Sequence, residues 1–114
     1  MKGTEKQIRY AEEIINGGLN TIKQNIELCE SRTNEDAQLR ARIWKTELIA
    51  LNILISKATD AGRVIDQKHK YEGRKWIEEN DRMAMIIKNG RITIEELEAQ
   101  AQAAWEKAMN EDRH

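Results

Sequence analysis

The sequence predicts an all-α fold: an antiparallel helical bundle of two long N-terminal helices with two to three shorter helices. Three observations predict it. Apolar residues recur every three or four positions in two successive ladders, first Ile8, Ala11, Ile15, Leu19, Ile22, Ile26 and Cys29, then Ala37, Ala41, Trp44, Leu48, Leu51, Ile55 and Ala58. That spacing lays a stripe along one side of an α-helix, which must be buried against something. The 114 residues include no proline, the residue that most readily interrupts a helix. Two stretches, Thr4-Glu5-Lys6-Gln7 and Thr93-Ile94-Glu95-Glu96, have the S/T-x-x-E/Q form of a capping box.

Each element follows from local chemistry. The first helix is expected over residues 4–30, starting at the Thr4 box. Gly17-Gly18 would cost about 2 kcal/mol relative to alanine in mid-helix. Ile8 and Ile15 nevertheless stay in phase with Ile22 and Cys29 across them. The reading is therefore one helix, bent at the glycines or approached there by another backbone. The polar break from Ser31 to Asn34 leaves Thr33 or Asn34 to cap a second helix over residues 34–61, ending at Gly62. Its Leu48–Ile55 stretch is apolar nearly all round, which suits a central helix, and Asn52 within it would need a hydrogen-bond partner. The two long helices would each span roughly 40 Å, and a four-residue connection makes them antiparallel neighbours. A short helix is expected over 62–69, and a third amphipathic helix over 73–89, closed by Asn89-Gly90. The last helix, over 93–110, starts with Ile92 and Leu97 placed as a hydrophobic staple. A polar, frayed tail is expected beyond Met109.

Length and composition fit one domain over residues 1–114 with an aliphatic core, since there is no Phe and only three Trp and two Tyr. Charged residues make up 34% of the chain and leave a net charge of −1, so the whole chain has no electrostatic bias toward nucleic acid or an anionic membrane. No apolar run approaches the roughly 18 residues of a membrane span. The opening MKGTEKQIRY has no signal-peptide core, and the expected location is the cytoplasm. The single Cys29 sits on the first ladder and reads as a buried, inert thiol.

Signals for chemistry are few. Only two His are present, one of them the terminal His114, and the Asp66/His69 pair has no third ligand nearby, so no metal, cofactor or catalytic residue is expected. The acidic groups Glu12-Glu13, Glu78-Glu79-Asp81 and Glu95-Glu96-Glu98 fall on polar faces or in a first turn, where they read as solvated or dipole-matching. No phosphate-binding or nucleophile-elbow glycine motif occurs, and the chain is read as non-enzymatic. Charge is unevenly spread. Arg63, Lys68, Lys70, Arg74 and Lys75 make the middle basic, whereas Glu95, Glu96, Glu98, Glu106, Glu111 and Asp112 make the end acidic. The two regions could attract one another. Alternatively, the basic segment with His69, Tyr71 and Trp76 could meet a nucleic-acid backbone and stack on a base. The acidic helix could cover a basic groove on another protein. A helix-turn-helix is disfavoured, because the helix after Asn89-Gly90 is acidic where a recognition helix would approach phosphate.

The opening Gly3-Thr4-Glu5-Lys6-Gln7-Ile8-Arg9-Tyr10-Ala11-Glu12 resembles a recurring start in small proteins of phages and integrated mobile elements of Gram-positive bacteria. Lys75-Trp76-Ile77-Glu78-Glu79-Asn80 is similar to a Trp-Ile-acidic patch found later in the same group. The double glycine departs from that pattern. The resemblance implies a cytoplasmic accessory protein of a mobile element, of a kind that includes stoichiometric inhibitors of host defence such as anti-CRISPR proteins. It carries no catalytic residues. The leading expectation is a helical interaction module that binds and blocks a host protein, such as a CRISPR effector nuclease or its RNA complex. Its contacts would be Lys68, Lys70, Tyr71, Arg74, Lys75 and Trp76, with Glu95 and Glu98 of the last helix. The alternatives are a nucleic-acid-binding accessory factor using Lys68, Lys70, Arg74 and Lys75, or a homodimer built on the apolar second helix.

Overall fold

The computed structural model describes residues 1–111, and its elements are all helical. Helix α1 spans Glu5–Glu30 and begins with both arms of the expected capping box: the Gln7 amide donates to Thr4 Oγ1 (3.1 Å) and the Thr4 amide to Gln7 Oε1 (3.0 Å). It runs unbroken through Gly17-Gly18. Helix α2, Glu35–Ser56, is capped by Asn34, whose Oδ1 accepts from the Ala37 amide (2.8 Å). The two helices run antiparallel, so that Glu30 at the end of α1 meets Lys45 while Gly18 faces Leu51.

The second helix stops earlier than the expected residue 61. The amides of Lys57 and Ala58 turn back onto the carbonyls of Leu54 and Ile55, and Asp60 then adopts extended backbone (φ −130°, ψ 117°). Asp60 caps a separate helix α3, Ala61–Asp66, accepting from the Arg63 amide at 3.2 Å. Gly62 therefore sits inside α3 and does not terminate α2. The break is clamped by the N-terminus: the Lys2 amide donates to the Thr59 carbonyl (2.8 Å) and the Ala61 amide to the Lys2 carbonyl (2.7 Å), a lone parallel bridge. The expected helix over 62–69 is thus α3 plus a single 3₁₀ turn, Lys68–Lys70.

Helix α4, Gly73–Lys88, closes on Gly90 (φ +77°), with Gly90 and Arg91 amides reaching back to Ile87 and Ile86 in a Schellman arrangement. Helix α5, Ile94–Glu111, opens with the Glu96 amide donating to Thr93 Oγ1 (3.1 Å). Asn110 and Glu111 continue this helix instead of fraying; the rest of the expected tail, with Asp112, Arg113 and His114, lies outside the described residues.

Helix α2 is central, packing against α1, α4 and α5. One cluster joins Ala11, Ile15 and Ile22 to Trp44, Leu51, Val64, Tyr71 and Trp76. A smaller one joins Ile43 to Ala84 and Ile94. At the first cluster, the carbonyl of Tyr71 lies where a Cβ on Gly18 would be, and Thr21 lies where a Cβ on Gly73 would be. The approaching backbone anticipated at the double glycine is this 71–73 turn. Gly17 faces open space. Asn52 is only half-buried, so water can reach its amide; the fully buried amide is Asn80, whose Nδ2 donates to the Arg40 carbonyl (3.3 Å). Cys29 is half-buried, and desolvation pushes its thiol up, as suits an unreactive thiol.

Candidate functional site

The eight sequence-predicted contact residues do not form one surface. Lys68 and Lys70 are exposed on the 3₁₀ turn. Tyr71 and Trp76 are buried, and the Trp76 indole N–H donates to the Tyr71 carbonyl (3.3 Å). Their rings belong to the core and offer no face on which a base could stack, which corrects their reading as contacts. Arg74 is exposed and pairs with Glu78 at 3.1 Å, one turn along α4. The Lys75 ammonium sits 4.3 Å from the centre of the Trp76 ring, a cation–π contact at the edge of the core. On α5, Glu98 accepts from both Nε (3.0 Å) and Nη2 of Arg42 of α2, a bidentate pair along one guanidinium edge, with Glu95 3.7 Å from the same group. The acidic helix is thus held by a basic residue of its own chain. Arg42 holds the Glu98 carboxyl below the usual carboxylate range.

Two other surfaces stand out, both on α4. Its outer face carries Ile77 (46% exposed) and, two turns on, Met85 (66%), among Arg74, Glu78, Asp81 and Arg82. Leu28 at the end of α1 (50% exposed) joins Ile77 across a groove of about 340 Å³. Arg40 enters this groove from α2, ion-paired with Asp81 and lying 3.7 Å from Asp36. Apolar side chains ringed by charge of both signs have the composition of a protein-binding patch, with its apolar centre and polar rim.

The second surface is a cleft of about 260 Å³ with α2 as its floor and α4 and α5 as its walls. The two wall helices both pack on α2 and touch one another little. Trp76 and Met83 line one side, Leu97 and Ala101 the other, and Glu47 lies on the floor. Glu47 is 6% exposed, and neither carboxylate oxygen has a hydrogen-bond partner. Burial, reinforced by the nearby charge of Glu79, raises its pKa to about 9; the Asn80 amide opposes this, Asp81 adds to it, and Lys75 opposes it weakly. At neutral pH the site therefore holds a protonated acid, with a second carboxyl group, Glu79, at the rim. Glu47 was missed because it reads as a charged residue beside Lys45. Its spacing was the available signal: it stands four residues after Ile43 and four before Leu51, both completely buried.

Among the described residues no three His, Cys, Asp or Glu side chains converge on a metal position, and no helix is long and apolar enough to cross a membrane. Comparison with protein-family models, with curated proteins and with solved structures found no match.

Proposed function

We propose that this chain is a non-enzymatic helical interaction module of a phage or mobile element. It works in the host cytoplasm by seating the outer face of α4 on a host defence protein, of which a CRISPR nuclease is the leading case. The observation that carries this reading is the exposed Leu28 and Ile77 at one groove, with Met85 two turns along α4, among charges of both signs. Apolar surface left uncovered on a chain of this size is worth most when a partner removes it from water. The resemblance of residues 3–12 and 75–80 to mobile-element proteins supplies the context. Those segments also have structural duties, since Thr4 and Gln7 cap α1 while Ala11, Trp76 and Asn80 are buried.

Size-exclusion chromatography with candidate effector nucleases, paired with a cleavage assay, tests the reading. Co-migration and loss of cleavage are expected from the natural chain. A variant carrying Ile77→Arg and Met85→Glu should keep its helical content and lose at least about tenfold in affinity, as for a central interface position. Co-migration unaffected by that variant would contradict the reading. The nucleic-acid alternative retains Lys68, Lys70 and Arg74 as exposed cations and His69 as an exposed ring, but Tyr71 and Trp76 are buried. A gel shift that weakens steeply with salt would favour it. A homodimer seam along the α2 ladder would have to displace α1, α4 or α5, which already cover that helix.

A further inference from the structure

The Glu47 cleft uses residues other than the Ile77–Met85 face, and nothing in the packing of this protein explains the acid at its floor. Leucine would fill the same space without an ionisable group. A carboxylate kept for structure would be held by donors, and neither Glu47 oxygen has one within hydrogen-bond geometry, although Asn80 and Lys75 stand close enough to favour its charged form. The Thr46 hydroxyl donates to the Ile43 carbonyl (2.7 Å), Asn80 Nδ2 to the Arg40 carbonyl, and Arg82 to Glu79 (2.9 Å). The carboxyl has two unpaired oxygens closed off from solvent in the floor of a cavity large enough for a short chain of methylenes, and a turn of the Glu47 side chain brings them to a ligand there. A buried polar group without a partner is costly, and proteins retain such groups chiefly where a ligand completes them.

We propose that the cleft between α4 and α5 binds an alkylammonium group, the chemistry shared by a lysine side chain and a free aliphatic amine, with Glu47 as its counter-ion on the floor and Glu79 at the rim. The lining selects this chemistry. An ammonium has three donors, and the cleft lining includes four side-chain acceptor groups, Glu47, Glu79, the Gln100 amide oxygen and the Thr46 hydroxyl. Trp76, Met83, Leu97 and Ala101 supply apolar walls for the stem. A planar guanidinium, with five donors, would leave several facing those walls. A hydrated metal ion would gain nothing from them. The charged groups around Glu47 are Lys75, Glu79 and Asp81 of α4; the α5 wall contributes the neutral Gln100. Binding ionises Glu47: the carboxylic acid gives its proton to solvent, and the carboxylate pairs with the ammonium.

The test is isothermal titration of the full chain with 1,5-diaminopentane and, separately, with Nα-acetyl-lysine methylamide, with 1-pentanol as the uncharged control. Saturable binding of at least one amine is expected, with release of a proton to the buffer. Affinity should be at least about tenfold higher at pH 8.5 than at pH 6.5, because the carboxylate form binds. Glu47→Gln should remain folded by circular dichroism and lose binding by at least about tenfold, the loss of one charge-assisted pair. Glu79→Gln should weaken binding less. The Ile77→Arg/Met85→Glu variant should bind amine as the natural chain does, which separates this site from the proposed interaction face. Tighter binding of the lysine derivative would assign the cleft to a partner's lysine, and tighter binding of the diamine to a small molecule. The proposal is overturned if neither amine saturates, as would follow if Lys75 folded in as the resident cation. It is equally overturned if pentanol binds as well as the amines, or if Glu47→Gln binds undiminished.

Discussion

Toward α1, the second helix presents Trp44, Leu48, Leu51 and Ile55, and α1 and the 71–73 turn pack over Leu51 in a continuous cluster; toward α4 and α5 it presents Ile43, Thr46 and Glu47, and the chain leaves a cleft over Glu47. Both sides belong to one helix, so the difference lies in what approaches it. On the first side Gly18 has no Cβ, which admits the Tyr71 carbonyl and brings the 71–73 turn down onto α1 beside Leu51. Backbone contact at that range is possible only at glycine. On the second side two helices diverge from a shared turn and meet α2 separately, so their walls cannot close over the floor. A sealed face needs a residue small enough for close approach, whereas an open face can carry a group that packing alone would reject.

The comparison can be broken most forcefully at Gly18. Gly18→Ala should destabilise the fold by about 3 kcal/mol in urea denaturation, at the upper end of overpacking penalties, because the obstructing atom is backbone and cannot rotate away. Gly73→Ala, which would overlap Thr21, should act in the same direction. On the open side the sign reverses. Glu47→Leu should raise stability at pH 7 by about 2 kcal/mol, since it removes a buried acid without emptying the floor.

The pH dependence sharpens that second outcome. The Glu47 pKa is about 9 in the folded chain, above its ordinary value of 4.5. Its contribution is therefore fully present below about pH 4.5. It declines as pH rises through the window between 4.5 and 9, where the unfolded chain has released the proton and the folded chain has not. Natural protein should lose stability from pH 5 to pH 8, and Glu47→Leu should be flat over the same range. Asp36 and Glu98 work in the opposite sense, because Lys88 and Arg42 respectively hold their carboxyls low, so their contribution is lost only in acid.

Smaller effects complete the contrast. Gly17→Ala, beside the critical glycine but facing open space, should stabilise α1 by about 1 kcal/mol in the same denaturation series. Arg42→Ala, which releases the solvent-accessible pairs to Glu95 and Glu98, should cost no more than about 0.5 kcal/mol, and the loss should shrink in high salt.

The closed side was far more legible in the sequence than the open one. Ile8, Ile15, Ile22 and Cys29 kept phase across Gly17-Gly18, and the structure keeps one helix there with a backbone packed on it. Thr4, Thr33 or Asn34, and Thr93 announced helix starts, which the structure places at Glu5, Glu35 and Ile94, with Asn34 as the second cap. The end of α2 was hidden because Ala58 continues the ladder, although Asp60 three residues before Arg63 is a cap signal of the same kind. Tyr71 and Trp76 were misread because a basic neighbourhood says nothing of which way a ring faces; Trp76 turns its indole N–H back onto the Tyr71 carbonyl. Glu47 shows the deeper difficulty. Helical spacing places a residue in the buried arc, but residue type argues for solvent, and only the separation of α4 from α5 decides between them.

The titration of Glu47 by carboxyl-detected NMR, assigned by comparison with Glu47→Gln, tests most directly the claim that one side of α2 holds a neutral, unpartnered acid. One glutamate resonance titrating near pH 9, and absent from the variant, is the predicted result. A chain in which every glutamate titrates below about pH 5 would contradict it.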